Sequence, residues 1–307
     1  LVSQEVNRNL LNAIGKGHIR VFGDVNQLPP IEKDERNAAT PSAFTDLLNR
    51  FPSVTLAIIH RQGEGSGIVS NGARINRGVS PSRTPDFSLH ITDEPVAKLE
   101  QILREARDRV SFAAPDNQVI TPSNVSWVGT HKLNALMQNI YMDGDYDWLP
   151  VPRHDWDSKH PMRVAKGDKV IYGVNNYDLE LFNGEAGIVV ETTEIGEIVV
   201  DLGDREVIIP PLLNYVARDG SIREFDPRKD LYLAYAITTH KAQGSEYRNV
   251  IYILNKSTLF IQLRSNFYTA ITRAREKVAV ITDTKSLSVS VTRKVPMARK
   301  GKQEVFS

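Results

Sequence analysis

The sequence predicts an α/β protein built on parallel sheets flanked by helices, with a small β-barrel inserted, and two observations carry that prediction. Apolar runs of strand length alternate with amphipathic stretches of helix length over most of the chain. Between about residues 167 and 211 the texture changes to closely spaced β-rich runs separated by glycine turns. Alternation of strand and helix reads as parallel pairing, because a parallel strand needs a crossover connection to return to its sheet.

Taken in order, Val2, Val6, Leu10 and Ile14 recur every four residues and end at Gly15 and Gly17, which predicts an amphipathic helix stopped by glycine. HIRVF at 18–22 predicts a short buried strand, a helix is expected over about 41–51, and SVTLAII at 53–59 predicts a second strand ending at His60 and Arg61. EPVAKLEQILREARD and WVGTHKLNALMQNIYM predict two further helices, with the strand QVIT between them. The runs DKVIYGV, AGIVVET, EIVVDL and REVIIP, joined by Asn-Gly, Ile-Gly and Gly-Asp turns, predict the barrel. From Leu231 the α/β pattern resumes with LYLAYAITTH, NVIYIL, a helix around 267–275 carrying Arg273 and Arg275, and the strand KVAVIT. The tail 293–307 holds five basic residues, one acidic residue and no periodicity, and is expected to be mobile.

Composition sets the class. The chain has 307 residues, 41% hydrophobic and 24% charged, enough for two domains. No apolar run approaches the roughly 18 residues of a membrane span, and the start lacks a signal-peptide layout. With no cysteine there is neither a disulfide framework nor a thiolate metal site, so a cytoplasmic location and no membrane partner are expected. The net charge of +1 carries no bulk nucleic-acid signal, so any such contact must come from local placement of basic groups.

Three segments concentrate polar groups at strand ends, where open α/β sheets bind ligands. In GDVNQLPP at 23–30, Asp24 can support a metal-bound water or an arginine and Gln27 can orient a water against a phosphate, while two prolines stiffen the exit. A strand-to-loop turn capped by Asp and Asn reads equally well. In ITTHKAQGSEYRNVIYIL at 237–254, Thr239, His240, Gly244 and Glu246 crowd between apolar runs, as in a loop whose amides and hydroxyls hold phosphate oxygens. In FYTAITRAREKVAVI at 267–281, Arg273 is the kind of fixed guanidinium that completes a nucleotide site, although a solvated basic helix face is the plainer reading. His90, His131, His154 and His160 show no metal-binding spacing. Trp127, Trp148 and Trp156 can stack on bases or serve packing, and DGDYD at 143–147 lacks the glycine and closing glutamate of a calcium loop.

Together and in this order the segments resemble superfamily 1 DNA helicases of the RecD-like and Dda-like branch, which runs 5′ to 3′. GDVNQLPP resembles motif III, HRQ at 60–62 motif IV, THKAQGSE at 239–246 motif V and YTAITRAR at 268–275 motif VI. KGDKVIYGVNNYDLELFNGEAGIV resembles the opening of that branch's inserted SH3-like barrel. The resemblance implies RecA-like motor domains. Residues 1–85 would be the C-terminal part of the first, 86–165 and 231–290 the second, 166–230 the inserted SH3-like barrel and 291–307 a flexible basic tail.

It further implies ATP and Mg²⁺ as cofactors, with single-stranded DNA and DNA duplex junctions as partners. Gln27, Arg61 and Arg273 would be catalytic, Arg273 as arginine finger. Asp24, Gly244, Glu246 and Tyr268 would lie at the nucleotide or behind it, and Thr121, Ser123, Thr239 and His240 would hold DNA phosphates, reading backbone rather than bases. The Walker A and Walker B motifs of the family are not found, and IGKGH at 14–18 has the wrong spacing for the first. The expectation is therefore the C-terminal portion of an ATP-dependent helicase, inactive by itself, with its main phosphate and Mg²⁺ ligands upstream. A non-catalytic nucleic-acid-binding or scaffold subunit is the alternative.

Overall fold

The computed structural model describes residues 9, 12–13, 18–28, 43–55, 63, 65–154, 159, 161–216 and 219–294. Its centre is a five-stranded sheet with every neighbouring pair parallel. The strands are β1 (Phe87–Ile91), β2 (Asn117–Thr121), β12 (Ala236–Thr238), β13 (Tyr247–Ile253) and β14 (Ala274–Thr282), in the order β1-β14-β13-β2-β12.

Both faces of this sheet are covered, which is why the stretches VIYI of β13 and VAVI of β14 are apolar at every step. On one face Val250, Tyr252, Val278 and Val280 pack with helices α2 (Gly67–Asn76), α5 (Arg264–Ile271) and α6 (Thr284–Thr292) through Ile68, Ile75, Phe267, Ile271 and Val291. On the other, Val119, Ile251, Ile253 and Ile281 pack with α3 (Pro95–Ala106) and α4 (Thr130–Tyr141) through Leu99, Leu103, Leu133 and Met137. Successive residues of β13 thus go to opposite cores, the period-2 rule of a strand. Burial of each such side chain contributes about 1.5–3 kcal/mol.

A second sheet is antiparallel: β11 (Leu231–Leu233), β5 (Lys169–Tyr172), β6 (Ala186–Thr192), β7 (Ile198–Asp201) and β8 (Glu206–Ile209), paired in that order around its own core. The four predicted runs are β5 to β8, and β11 and β8 stand as the edges of the ladder. Two further strand pairs are β3 (Leu149–Val151) with β4 (Met162–Val164) and β9 (Leu213–Val216) with β10 (Ile222–Phe225), and helix α1 (Ala43–Arg50) precedes them all in the chain. Among the described residues no helix is long and apolar enough to cross a membrane.

Several expectations are corrected. HIRVF is not a buried strand: residues 18–22 carry no ladder, and Phe22 is 82% exposed. An apolar run becomes strand only where neighbours satisfy its backbone groups, and no described residue does so here. LYLAYAITTH is not one strand, because Leu231–Leu233 pairs with β5 and Ala236–Thr238 with β2. Ala234 and Tyr235 make the transfer between sheets, both buried, with the Ala234 amide donating to Lys169 O. Arg273 and Arg275 are not on a helix, since α5 ends at Ile271. The Thr272 hydroxyl there bonds back to Tyr268 O and Thr269 O, and Arg275 already lies on β14. The predicted N-terminal helix, the strand at 53–59 beyond Thr55, and the tail beyond Lys294 fall outside the described residues.

Candidate nucleotide and nucleic-acid site

The sheet topology places the motifs. β2 and β12 are parallel neighbours with Thr121 opposite Thr238, so the TPSN loop and the THKAQGSE loop leave the sheet side by side at its carboxyl edge. The second loop then runs to the start of β13, where Tyr247 pairs with Ala274 and its amide donates to Arg273 O. One short segment therefore joins two edges of the sheet, Thr239 at the carboxyl edge and Gly244 to Glu246 beside Arg273 at the amino edge.

At the amino edge, Arg273 is 3% exposed; its Nε donates to Thr269 O at 3.2 Å and its Nη1 to Ser245 O at 3.3 Å. Gly244 has φ of +90°, a conformation that suits glycine, and a Cβ there would meet nothing. Glu246 is exposed on the same turn. The GDVNQLPP loop docks here from afar in sequence. Leu28 is buried, its amide donates to Thr269 Oγ1 at 2.9 Å, and its carbonyl accepts from Gln243 Nε2 at 2.9 Å.

Asp24 caps its own turn, accepting from the Asn26 amide at 2.9 Å and from Gln27 Nε2 at 3.3 Å. The turn reading is thus correct for its local geometry, yet Asp24 also faces Tyr268. Burial first, and then the Asp24 carboxylate, push the Tyr268 hydroxyl up to about 12. Asp24, Gln27, Gly244, Tyr268 and Arg273 are therefore gathered around one junction. Arg61 lies outside the described residues.

At the carboxyl edge the expected phosphate holders are turned inward. Thr121 Oγ1 donates to Val128 O at 2.7 Å, Ser123 Oγ accepts from the Ser126 amide at 3.3 Å, and Thr239 Oγ1 donates to Asn266 Oδ1 at 2.6 Å, with Thr121 and Thr239 fully buried. His240 is half-buried, and burial holds its imidazole below the ordinary value.

What faces outward is a cleft of about 820 Å³ between the TPSN loop, the start of α4, β11 and the stretch around β3 and β4. Its charged lining is Lys132, Arg153, Lys159 and Lys241, and among the described residues that line it none is acidic. The Arg153 guanidinium and the Lys241 ammonium each lie 4.5 Å from the centroid of the Tyr232 ring. Burial first, and Arg153 second, lower the Lys241 ammonium from its usual range. Like charges gathered on an aromatic are arranged for a polyanion.

Residues 233–281 match the UvrD-like helicase C-terminal domain. The ATP-dependent RecD2 DNA helicase of Deinococcus radiodurans is 27% identical over 278 residues, 88% of this chain and 33% of that protein. The RecBCD enzyme subunit RecD of Mycobacterium tuberculosis is 24% identical, over 97% of this chain and 50% of its own length. The chain is a relative of the RecD-like superfamily 1 helicases. It spans a third to a half of these curated relatives. Two solved structures share the fold. Pif1 helicase from Bacteroides, in complex with ADP-AlF3 and ssDNA, has a TM-score of 0.54 at 21% identity, covering 87% of this chain and 62% of that one. Pif1 helicase from Candida albicans has a TM-score of 0.52 at 17% identity, covering 89% and 66%.

Within this RecD-like chain, sequence reading pointed to Gln27, Tyr268 and Arg273 but not to Lys132, Arg153, Tyr232 or Lys241. The only available signal was Lys241 inside THKAQGSE; the other cations are scattered and meet only in the fold. The three tryptophans also separate. Trp127 lines the cleft, Trp148 packs under Arg163 at 4.0 Å, and Trp156 lies outside the described residues. DGDYD contains no helix or strand, and Asp143 pairs with Arg107 at 4.0 Å. Among the described residues no cluster of three His, Asp or Glu is placed to hold a metal.

Proposed function

We propose that this chain is the C-terminal portion of an ATP-dependent 5′ to 3′ DNA helicase that translocates on single-stranded DNA and unwinds duplex. The observation that carries the reading is the cleft lined by Lys132, Arg153, Lys159 and Lys241, with no acidic residue among the described residues that line it, in a chain whose net charge is only +1. Sequence-independent, salt-sensitive grip on phosphates needs that arrangement and little else. We assign residues 1–85 to the end of the first motor domain and 86–165 with 231–290 to the second. The antiparallel sheet within 166–230, extended by β11, is taken as an SH3-like barrel.

The amino-edge residues fit one side of a nucleotide site: Arg273 beside an open Gly244 turn, with Asp24, Gln27 and Tyr268 behind it. When bound, ATP with Mg²⁺ supplies the phosphoanhydride. Arg273 meets its developing phosphate charge, and Gly244 and Glu246 face the nucleotide. Because Thr239 and Glu246 belong to one segment, a shift at one edge of the sheet is transmitted to the other.

The decisive experiment uses the full-length gene product. Arg273→Ala is expected to abolish DNA-stimulated ATP hydrolysis while ATP still binds, since an arginine finger contributes on the order of a thousandfold or more to rate. Retained turnover overturns the assignment. Unwinding of 5′-tailed but not 3′-tailed duplexes checks polarity, and DNA binding without any ATPase activity would favour a non-catalytic binding subunit.

A further inference from the structure

Of the exposed large aromatics among the described residues, Trp127 is the one that lines the cleft. It is 61% exposed, although a side chain of its size dominates core energetics when buried. It sits between β2 and α4 on a loop that is tightly built. The Gly129 amide donates to Ser126 O at 2.8 Å, the Thr130 hydroxyl to Asn124 Oδ1 at 2.8 Å, and the Trp127 amide to Ser257 Oγ at 3.2 Å. Ser257 Oγ in turn donates to Asn255 Oδ1 at 2.6 Å.

The indole is therefore presented on a preformed support rather than left on a loose tip. The Lys132 ammonium lies 2.9 Å from its ring centroid, and Trp127 and Lys132 both line the cleft that holds Arg153, Lys159 and Lys241. Beside them the Ser126 hydroxyl, itself shielded from solvent, has no hydrogen-bond partner among the described residues and lines the same cleft. An aromatic face, an adjacent cation and a waiting hydroxyl together match one nucleotide unit, a flat base next to a phosphate.

We propose that Trp127 is a nucleobase-stacking platform in this cleft, with Lys132 serving the neighbouring phosphate. The inference rests on the DNA reading of the cleft and adds a base contact to a grip expected to read backbone alone. Stacking tolerates any base, because every base has a π-face, so the platform adds affinity without sequence specificity. A packing role for Trp127 does not account for its exposure, and the charged side chains among the described residues lining the cleft are all cations.

The test is fluorescence anisotropy of the chain with a short labelled oligothymidylate and with an abasic oligomer of the same length. Wild type should prefer the oligothymidylate by about tenfold or more, the scale of one lost stack. Trp127→Ala should remove that preference while leaving abasic affinity and the salt slope unchanged, because no phosphate contact is lost. Trp127→Phe should restore part of it, which excludes a folding defect. In a Trp148→Phe, Trp156→Phe background the remaining indole should be quenched by oligothymidylate but not by the abasic oligomer. A Trp127→Ala chain that keeps the wild-type preference overturns the stacking role and leaves the DNA reading intact. If wild type binds neither oligomer at low salt, both fall.

Discussion

Replacing Asp168 tests whether the antiparallel sheet is fixed to the motor by one buried carboxylate. Asp168 is fully buried at the entrance to β5. Its Oδ1 accepts from the Tyr235 hydroxyl at 2.8 Å and from Gln138 Nε2 at 3.0 Å, and its Oδ2 from the Ala165 amide at 2.8 Å and from Gln138 Nε2 at 2.9 Å. These donors come from α4, from the turn before β5 and from the link between β11 and β12, so both connections between the sheets meet at this side chain. Asp168→Ala leaves the Tyr235 hydroxyl and the Ala165 amide without their acceptor, and Gln138 Nε2 with Arg163 O alone. At about 1–3 kcal/mol for each orphaned group, and with less than full additivity, the expected loss is about 3–5 kcal/mol, read from urea midpoints.

Asp168→Asn keeps one acceptor oxygen and should cost less. Burial raises the Asp168 carboxyl above its ordinary value, against the hydrogen bonds that lower it. A raised folded value means the native state binds the proton more tightly than the unfolded chain. The contribution of Asp168 is therefore fully present in acid and declines as pH rises through the folded value. The advantage of wild type over Asp168→Asn should accordingly be greatest at low pH and shrink toward neutrality. An unchanged midpoint in Asp168→Ala, or a gap that widens with pH, refutes the reasoning.

Two further outcomes are expected. Lys241→Met removes one cation from the Tyr232 ring and should flatten the plot of log affinity for single-stranded DNA against log salt by about 0.7, whereas an unchanged slope would place Lys241 outside the footprint. Gly129→Ala would bring a Cβ to 2.3 Å from Asn124 O and 2.7 Å from the Ser126 amide nitrogen, both backbone atoms that cannot swing aside. It should lower stability by about 1–3 kcal/mol in thermal melts and weaken DNA binding with it, because the displaced loop carries Trp127.

Particular elements show why the fold was partly legible. NVIYIL and KVAVIT were read correctly because a parallel strand buried on both faces must be apolar at every step. α6 was missed because TKSLSVSVT alternates Ser with Leu or Val like a strand; Asp283, which accepts from the Ser286 amide at 3.0 Å, was its start signal. α2 was missed because GIVSNGARIN carries two glycines. HIRVF failed in the opposite sense, apolar enough for a strand yet exposed and without a ladder among the described residues.

By itself the sequence determined the class, the family resemblance and the residue types of the segments that meet at the amino edge of the sheet. Glycine, arginine and tyrosine at fixed spacing report local backbone and charge, and those are written along the chain. The tertiary structure alone decided that Thr121 and Thr239 point inward, that Leu28 bolts a distant loop to Thr269 and Gln243, and that Lys132, Arg153, Lys159 and Lys241 share one cleft with Trp127 and Tyr232. Charge convergence is a property of positions in space, and residues more than a hundred positions apart acquire it only when β2 and β12 pair.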